Sequence, residues 1–117
     1  MAARNILVLI TGDPMTSAQP GEAIRIALGL GSGTHTVSVV LRGPAIGLLF
    51  PEAEDSACAE DVEKYLPSLA EALEPGFYVD QAALKGRAVN ESDFRLIPVD
   101  APAIADLIAK ADRSLVF

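Results

Sequence analysis

The chain has one cysteine, one histidine and no tryptophan in 117 residues. A single cysteine excludes an intramolecular disulfide and a thiolate metal cluster, and a single histidine cannot complete a typical zinc site. No metal or cofactor is therefore expected. Aromatic residues make up only 5% of the chain, so the core has to be built from Ala, Val, Leu and Ile. Positive charge is scarce as well, with 9 Lys and Arg against 16 Asp and Glu and a formal net charge of −7. A surface of that sign repels a phosphate backbone and an anionic membrane, which argues against nucleic acid or a lipid surface as partner. Long apolar runs are missing too: those present fall far short of the roughly 20 residues needed to cross a bilayer. Arg4 and Asn5 interrupt any start resembling a signal peptide. The expectation is a cytoplasmic protein with a single domain over residues 1–117.

Half of the residues are hydrophobic, enough to bury a core of ordinary size for one domain. They are arranged in five short apolar runs: Asn5 to Ile10, Thr36 to Leu41, Phe77 to Val79, Phe94 to Val99 and Ser114 to Phe117. Helix-like spans separate them, which is the rhythm of an α/β fold with a mostly parallel five-stranded sheet in a three-layer sandwich. The first run has no polar alternation, as expected of a central strand covered on both faces.

The helical spans carry their own signals. Pro20 and Gly21 stand where a first turn would begin, and the helix runs to about Leu30 with Glu22 and Arg25 on its outer side. Residues 61–73 have apolar positions at helical spacing, but Pro67 lies among them, so the helix should kink or restart there. Asp100 is a natural N-cap for a helix over about 101–111 with Pro102 in its first turn. Between strands two and three, Ala45 to Phe50 is too apolar to sit in water and reads as one or two helical turns. Its consecutive Leu48, Leu49 and Phe50 are the expected contact patch between subunits. Pro51 to Asp61 reads as an exposed acidic loop.

In an open α/β sheet, ligands bind beyond the carboxyl ends of the strands. That rule selects Thr11, Gly12 and Asp13 after strand one, Arg42 and Gly43 after strand two, and Asp80 and Gln81 after strand three. Ordinary turn geometry accounts for the same residue types. Neither the Gly-x-Gly-x-x-Gly fingerprint nor the Gly-x-x-x-x-Gly-Lys phosphate loop is present. Gly29, Gly31 and Gly33 follow a helix and precede a strand, which is helix termination rather than a dinucleotide turn. His35 reads as a surface or edge residue. Cys58 is the only possible thiol nucleophile, and its neighbours are acids that oppose a thiolate, although an approaching helix start would favour one.

Three segments carry a resemblance to a known family: Ile6 to Ile10 with its polar loop and Ala-rich helix, Val37 to Gly43 with the apolar turn after it, and the closing helix and strand Ile104 to Phe117. Together they resemble the DsrE/DsrF-like family, whose members include the subunits of the Tus sulfur-relay complex. The resemblance implies a DsrE-like fold and assembly as dimers, trimers or hexamers, or as hetero-oligomers with related subunits. It also implies a cysteine after the third strand that holds a persulfide. Here that stretch is Val79-Asp80-Gln81-Ala82-Ala83-Leu84-Lys85-Gly86-Arg87, with no thiol. The first expectation is thus a non-catalytic accessory subunit in sulfur trafficking. The alternatives are a small-molecule binding module using the strand-end loops and a thiol enzyme using Cys58.

Overall fold

The computed structural model describes residues 3–117. Its strands are β1 (Asn5–Ile10), β2 (Thr36–Leu41), β3 (Phe77–Asp80), β4 (Leu96–Val99) and β5 (Arg113–Val116), and its helices are α1 (Gln19–Gly31), α2 (Ala59–Ala72), α3 (Gln81–Leu84) and α4 (Ala101–Lys110). The five strands form one sheet in the order β4-β3-β2-β1-β5, and every pairing is parallel. The chain steps outward from β1 to β4, then returns past β1 to the opposite edge. β1 pairs along its whole length with β2 and from Ile6 to Leu9 with β5, and as an interior strand covered on both faces it is continuously apolar rather than alternating.

The period-two alternation of side chains sends neighbouring residues to opposite faces. Val8, Ile10, Val39, Leu41, Phe77 and Val79 meet α1 and α2 in the larger core, while Leu7 and Val40 meet Ile104 of α4 in the smaller one. Asp100 caps α4 by accepting a hydrogen bond from the Ala103 amide at 2.9 Å, as its position predicts. Ile104 is the one fully buried residue of that helix, with Leu107 partly buried against the same cluster, so α4 is held to the sheet by a narrow apolar stripe centred on Ile104.

Boundaries differ from the sequence reading for local reasons. β4 begins at Leu96, two residues late, because the Phe94 amide bonds the Ser92 hydroxyl and the Phe94 ring turns edge-on against Phe77 at 5.9 Å. α2 runs through Pro67 without restarting. Pro67 and Glu63, whose carbonyl loses its donor, both lie on the exposed face, where water can take the bond's place. Gly76 adopts φ +154°, and a Cβ there would stand 2.6 Å from the Arg95 carbonyl oxygen, so only glycine fits this close approach.

The largest correction concerns residues 45–50. Residues 45–49 form the expected helical turns, as a 3-10 helix Gly43–Leu49 capped by Phe50, but the segment packs into the main core. Leu48, Leu49 and Phe50 are 1%, 2% and 4% exposed: they are core of their own chain and cannot form a subunit contact patch. The exposed acidic loop is also more ordered than expected, with a second 3-10 helix at Pro51–Asp55. Its Glu52, Glu54 and Asp55 face solvent while Ala53 is buried.

Ile104→Ala should therefore lower the unfolding free energy by about 3 kcal/mol, the usual cost of emptying a buried aliphatic site. Ile108→Ala, one turn on and 37% exposed, should cost less than about 1 kcal/mol. Urea denaturation of the two variants checks the contrast; equal losses would mean α4 is not anchored as described.

Candidate functional site

The parallel sheet places the loops after β1, β2 and β3 side by side, and Gly43 starts their common roof. Its φ of +57° turns the chain sharply after Arg42, a conformation glycine enters without strain. Beneath it a cavity of about 450 Å³ opens at the strand ends, lined by Asp13, Gly43, Glu52, Lys85 and Arg87 among others. Of the residues selected from sequence, Asp13 and Gly43 line this groove.

Most of these residues already have partners within the chain. The Thr11 and Gly12 amides both donate to the backbone oxygen of Phe117, at 2.8 and 3.1 Å, so the chain itself occupies what could have been an anion-binding turn. Asp13 accepts from the Met15 amide at 2.9 Å, which tightens its own loop. Arg42 and Asp80 form an ion pair at 3.5 Å across neighbouring strand ends. The second carboxylate oxygen of Asp80 accepts from the Ala82 amide and caps α3. Gln81 opens that helix and faces solvent.

Glu52 and Arg87 were not selected from sequence, and they are the best-organised charges in the groove. The Arg87 guanidinium makes two hydrogen bonds to the Glu52 carboxylate, one at 2.7 Å, and lies 4.6 Å from the centre of the Phe50 ring. This fork-to-fork geometry with a ring beneath is the arrangement in which an arginine is most firmly held. The Arg87 hydrogen bonds hold the Glu52 carboxyl below its usual range, against an opposing effect of burial. Lys85 stands two residues earlier in left-handed backbone, φ 45°, among the exposed residues of the rim. The clue in the sequence was the Lys85-Gly86-Arg87 end of the short helix, but nothing local pointed to Glu52.

Cys58 stands immediately before α2 and is 1% exposed. Its sulfur accepts from the Gly21 amide and donates to the Ser17 carbonyl, both at 3.2 Å. The thiol pKa is raised, first by burial and also by the charge of Asp61, with the Gly21 amide pulling the other way. The helix start does not prevail because desolvation penalises the thiolate more than one amide stabilises it. Cys58 thus joins the α1 and α2 starts through hydrogen bonds to residues far away in sequence. Among the described residues no group of His, Cys, Asp and Glu could hold a metal ion, and no helix is long and apolar enough to cross a membrane.

The model of the DsrE/DsrF-like family matches residues 4–117. The chain belongs to this family. Among solved structures, the crystal structure of the YchN protein from E. coli superposes with a TM-score of 0.70 at 16% sequence identity, covering 97% of this chain and 99% of that one. At that identity the likeness establishes the fold alone. No curated protein matches the chain. This DsrE/DsrF-like chain has Asp80 and Gln81 at the end of β3, where the resemblance led to the expectation of a cysteine.

Folded protein should react with iodoacetamide at pH 8 at least about tenfold slower than a free model thiol, because Cys58 is shielded and mostly protonated. The rate should rise to the model value in denaturant. Because the folded pKa lies above the unfolded one, this group's contribution is complete below the ordinary thiol pKa and is lost as pH rises beyond it. Native-state labelling as fast as the model thiol would contradict the geometry. Arg87→Ala should cost about 1 kcal/mol through the lost ion pair and ring contact, and the loss should shrink in acid as Glu52 is protonated; urea titrations at pH 7 and pH 3 measure it.

Proposed function

We propose that this protein is a non-catalytic DsrE/DsrF-like subunit or accessory protein of intracellular sulfur trafficking, one that assembles with related subunits without carrying sulfur itself. The observation that carries this reading is the state of the chain's only thiol. A sulfane sulfur must be held on an accessible, ionisable thiol that can be attacked and can leave. Cys58 is buried with its pKa raised, and the end of β3 offers a carboxylate paired to Arg42 instead. Asp80 and Gln81 have no chemistry for a persulfide bond.

The small-molecule binding module remains the second reading, favoured by the strand-end cavity with Lys85 on its rim and the Glu52–Arg87 pair in its wall. A volume of about 450 Å³ suits a small ligand. The reading as a thiol enzyme has the least support, given the burial of Cys58.

Assembly, on the first reading, uses the β5 side of the sheet. β5 pairs with β1 alone, leaving an open edge of the kind that recruits another chain, with Leu115 37% and Val116 63% exposed beside Ile108 of α4. Copies of this chain or related subunits both fit such an edge.

Two measurements test this proposal. After incubation with a polysulfide donor, intact-mass analysis should find the native protein without added sulfur; a persulfide on native Cys58 would refute the non-carrier role. In gel filtration at micromolar concentration, alone or mixed with a thiol-bearing family subunit from the same host, the chain should elute above the mass of one copy, and Val116→Lys should shift it back. Elution as a single chain in both cases would refute assembly.

A further inference from the structure

The sheet ends in two unlike edges. On β4, which pairs with β3 alone, Pro98 stands exposed within the strand and has no amide to offer, which closes that edge to another chain. β5 carries no such block, and all four of its residues are exposed. Phe117, just beyond the strand, donates its amide to the Leu9 carbonyl and accepts from the Thr11 amide, so both of its backbone groups turn toward β1. Backbone groups alternate sides along a strand. Leu115 therefore turns inward likewise, while Ser114 and Val116 direct their amides and carbonyls out of the sheet. These two residues are matched to each other. About a two-fold axis at Leu115, Ser114 of one copy faces Val116 of the other, and each such pair exchanges two hydrogen bonds in an antiparallel ladder. We propose, resting on the reading that assembly uses the β5 side, that β5 pairs antiparallel with β5 of a second copy of this chain. The two five-stranded sheets then become one, with Leu115 against its own counterpart at the seam.

Charge and exposure both favour a second copy. Residues 101–117 hold two acids, Asp106 and Asp112, and two bases, Lys110 and Arg113, so the whole net charge of −7 lies in the rest of the chain. A like-charged copy meets the least repulsion at this neutral end, whereas a basic partner would be drawn to the acidic remainder. The two carboxylates are also occupied: Asp106 pairs with Lys110, and Asp112 accepts from the Asn5 amide at 2.7 Å. Among the described residues, three of the five exposed large hydrophobics, Ile108, Leu115 and Val116, lie in this same segment. Leu115 registers with Val8 and Val116 with Leu9, so Leu115 stands on the larger core's side of the sheet and Val116 on the α4 side. Pairing therefore covers apolar surface on both sides of the seam. It sets no like charges opposite each other, because the Arg113 residues of the two copies fall at opposite ends of the ribbon, roughly 14 Å apart. With Pro98 closing the far edge, the contact is isologous and stops at two copies.

Cysteine crosslinking of the full chain reads out this register. Residues directly opposed in a non-hydrogen-bonded antiparallel pair stand about 4.5 Å apart at Cα, within disulfide range. Ser114 and its own counterpart are diagonal neighbours, roughly 7–8 Å apart and outside that range. At micromolar concentration with oxidised glutathione, Leu115→Cys should form a covalent dimer at least about tenfold faster than Ser114→Cys. Ser114→Cys mixed with Val116→Cys should crosslink faster than either variant does alone. Wild-type protein should not crosslink, since Cys58 is 1% exposed. All three substituted positions are exposed, so the variants should keep the native amide spectrum, and gel filtration of the unoxidised wild type should give two copies. Equal rates for Leu115→Cys and Ser114→Cys would overturn the register. Assembly in gel filtration without selective crosslinking at position 115 would overturn the pairing and leave assembly standing. Elution as one copy alone, with assembly only in the presence of a related subunit, would overturn the second copy as occupant. One copy in every mixture would overturn both the pairing and the reading it rests on.

Discussion

Hydrogen bonding along both edges of β1 is the constraint on which the rest of the molecule depends. Because β2 and β5 both register on this strand, it lies inside the sheet, with Ile6, Leu7, Val8 and Ile10 buried and Val8 completely inaccessible. A parallel strand in that position demands cover on both faces. α1 and α2 provide it on one side, and α4 provides a narrower cover on the other. The unequal cover explains why the molecule has one large and one small core.

The same topology gathers the carboxyl ends of β1, β2 and β3 into one region. What stands there in this family member is a set of charges satisfied by one another. Asp80 is held by Arg42 and by the start of α3, and Glu52 is held by Arg87. The Thr11 and Gly12 amides are taken by Phe117. Mutual satisfaction of this kind stabilises a loop cluster and leaves few groups available for covalent chemistry. Cys58 follows the same logic in the interior, where its two hydrogen bonds serve the packing of α1 against α2.

Much of the fold could be read directly from the chain, since local pattern decides local structure. The five apolar runs located all five strands, the Asp100-x-Pro102 signal located the start of α4, and Pro20 the start of α1. Phe94 lies outside the strand that its sequence suggests, because an aromatic beside apolar residues looks the same whether it pairs in a ladder or turns edge-on to a neighbour. Leu48, Leu49 and Phe50 look like a subunit contact in sequence because hydrophobicity reports that a residue avoids water, not which surface covers it. At the site, the strand-end rule found Asp13 and Gly43, but the bond between Glu52 and Arg87 joins residues 35 apart and has no local signature.

Composition and periodicity by themselves determined the α/β class, the number of strands and the absence of a thiol after β3, because each depends only on residue identity and near-neighbour spacing. Tertiary structure alone decided that the 45–50 segment is core, that Cys58 is enclosed, and that Arg87 holds Glu52 over Phe50. These are contacts between segments that the chain brings together only on folding, and their energies depend on burial and distance, neither of which is written in the order of the residues.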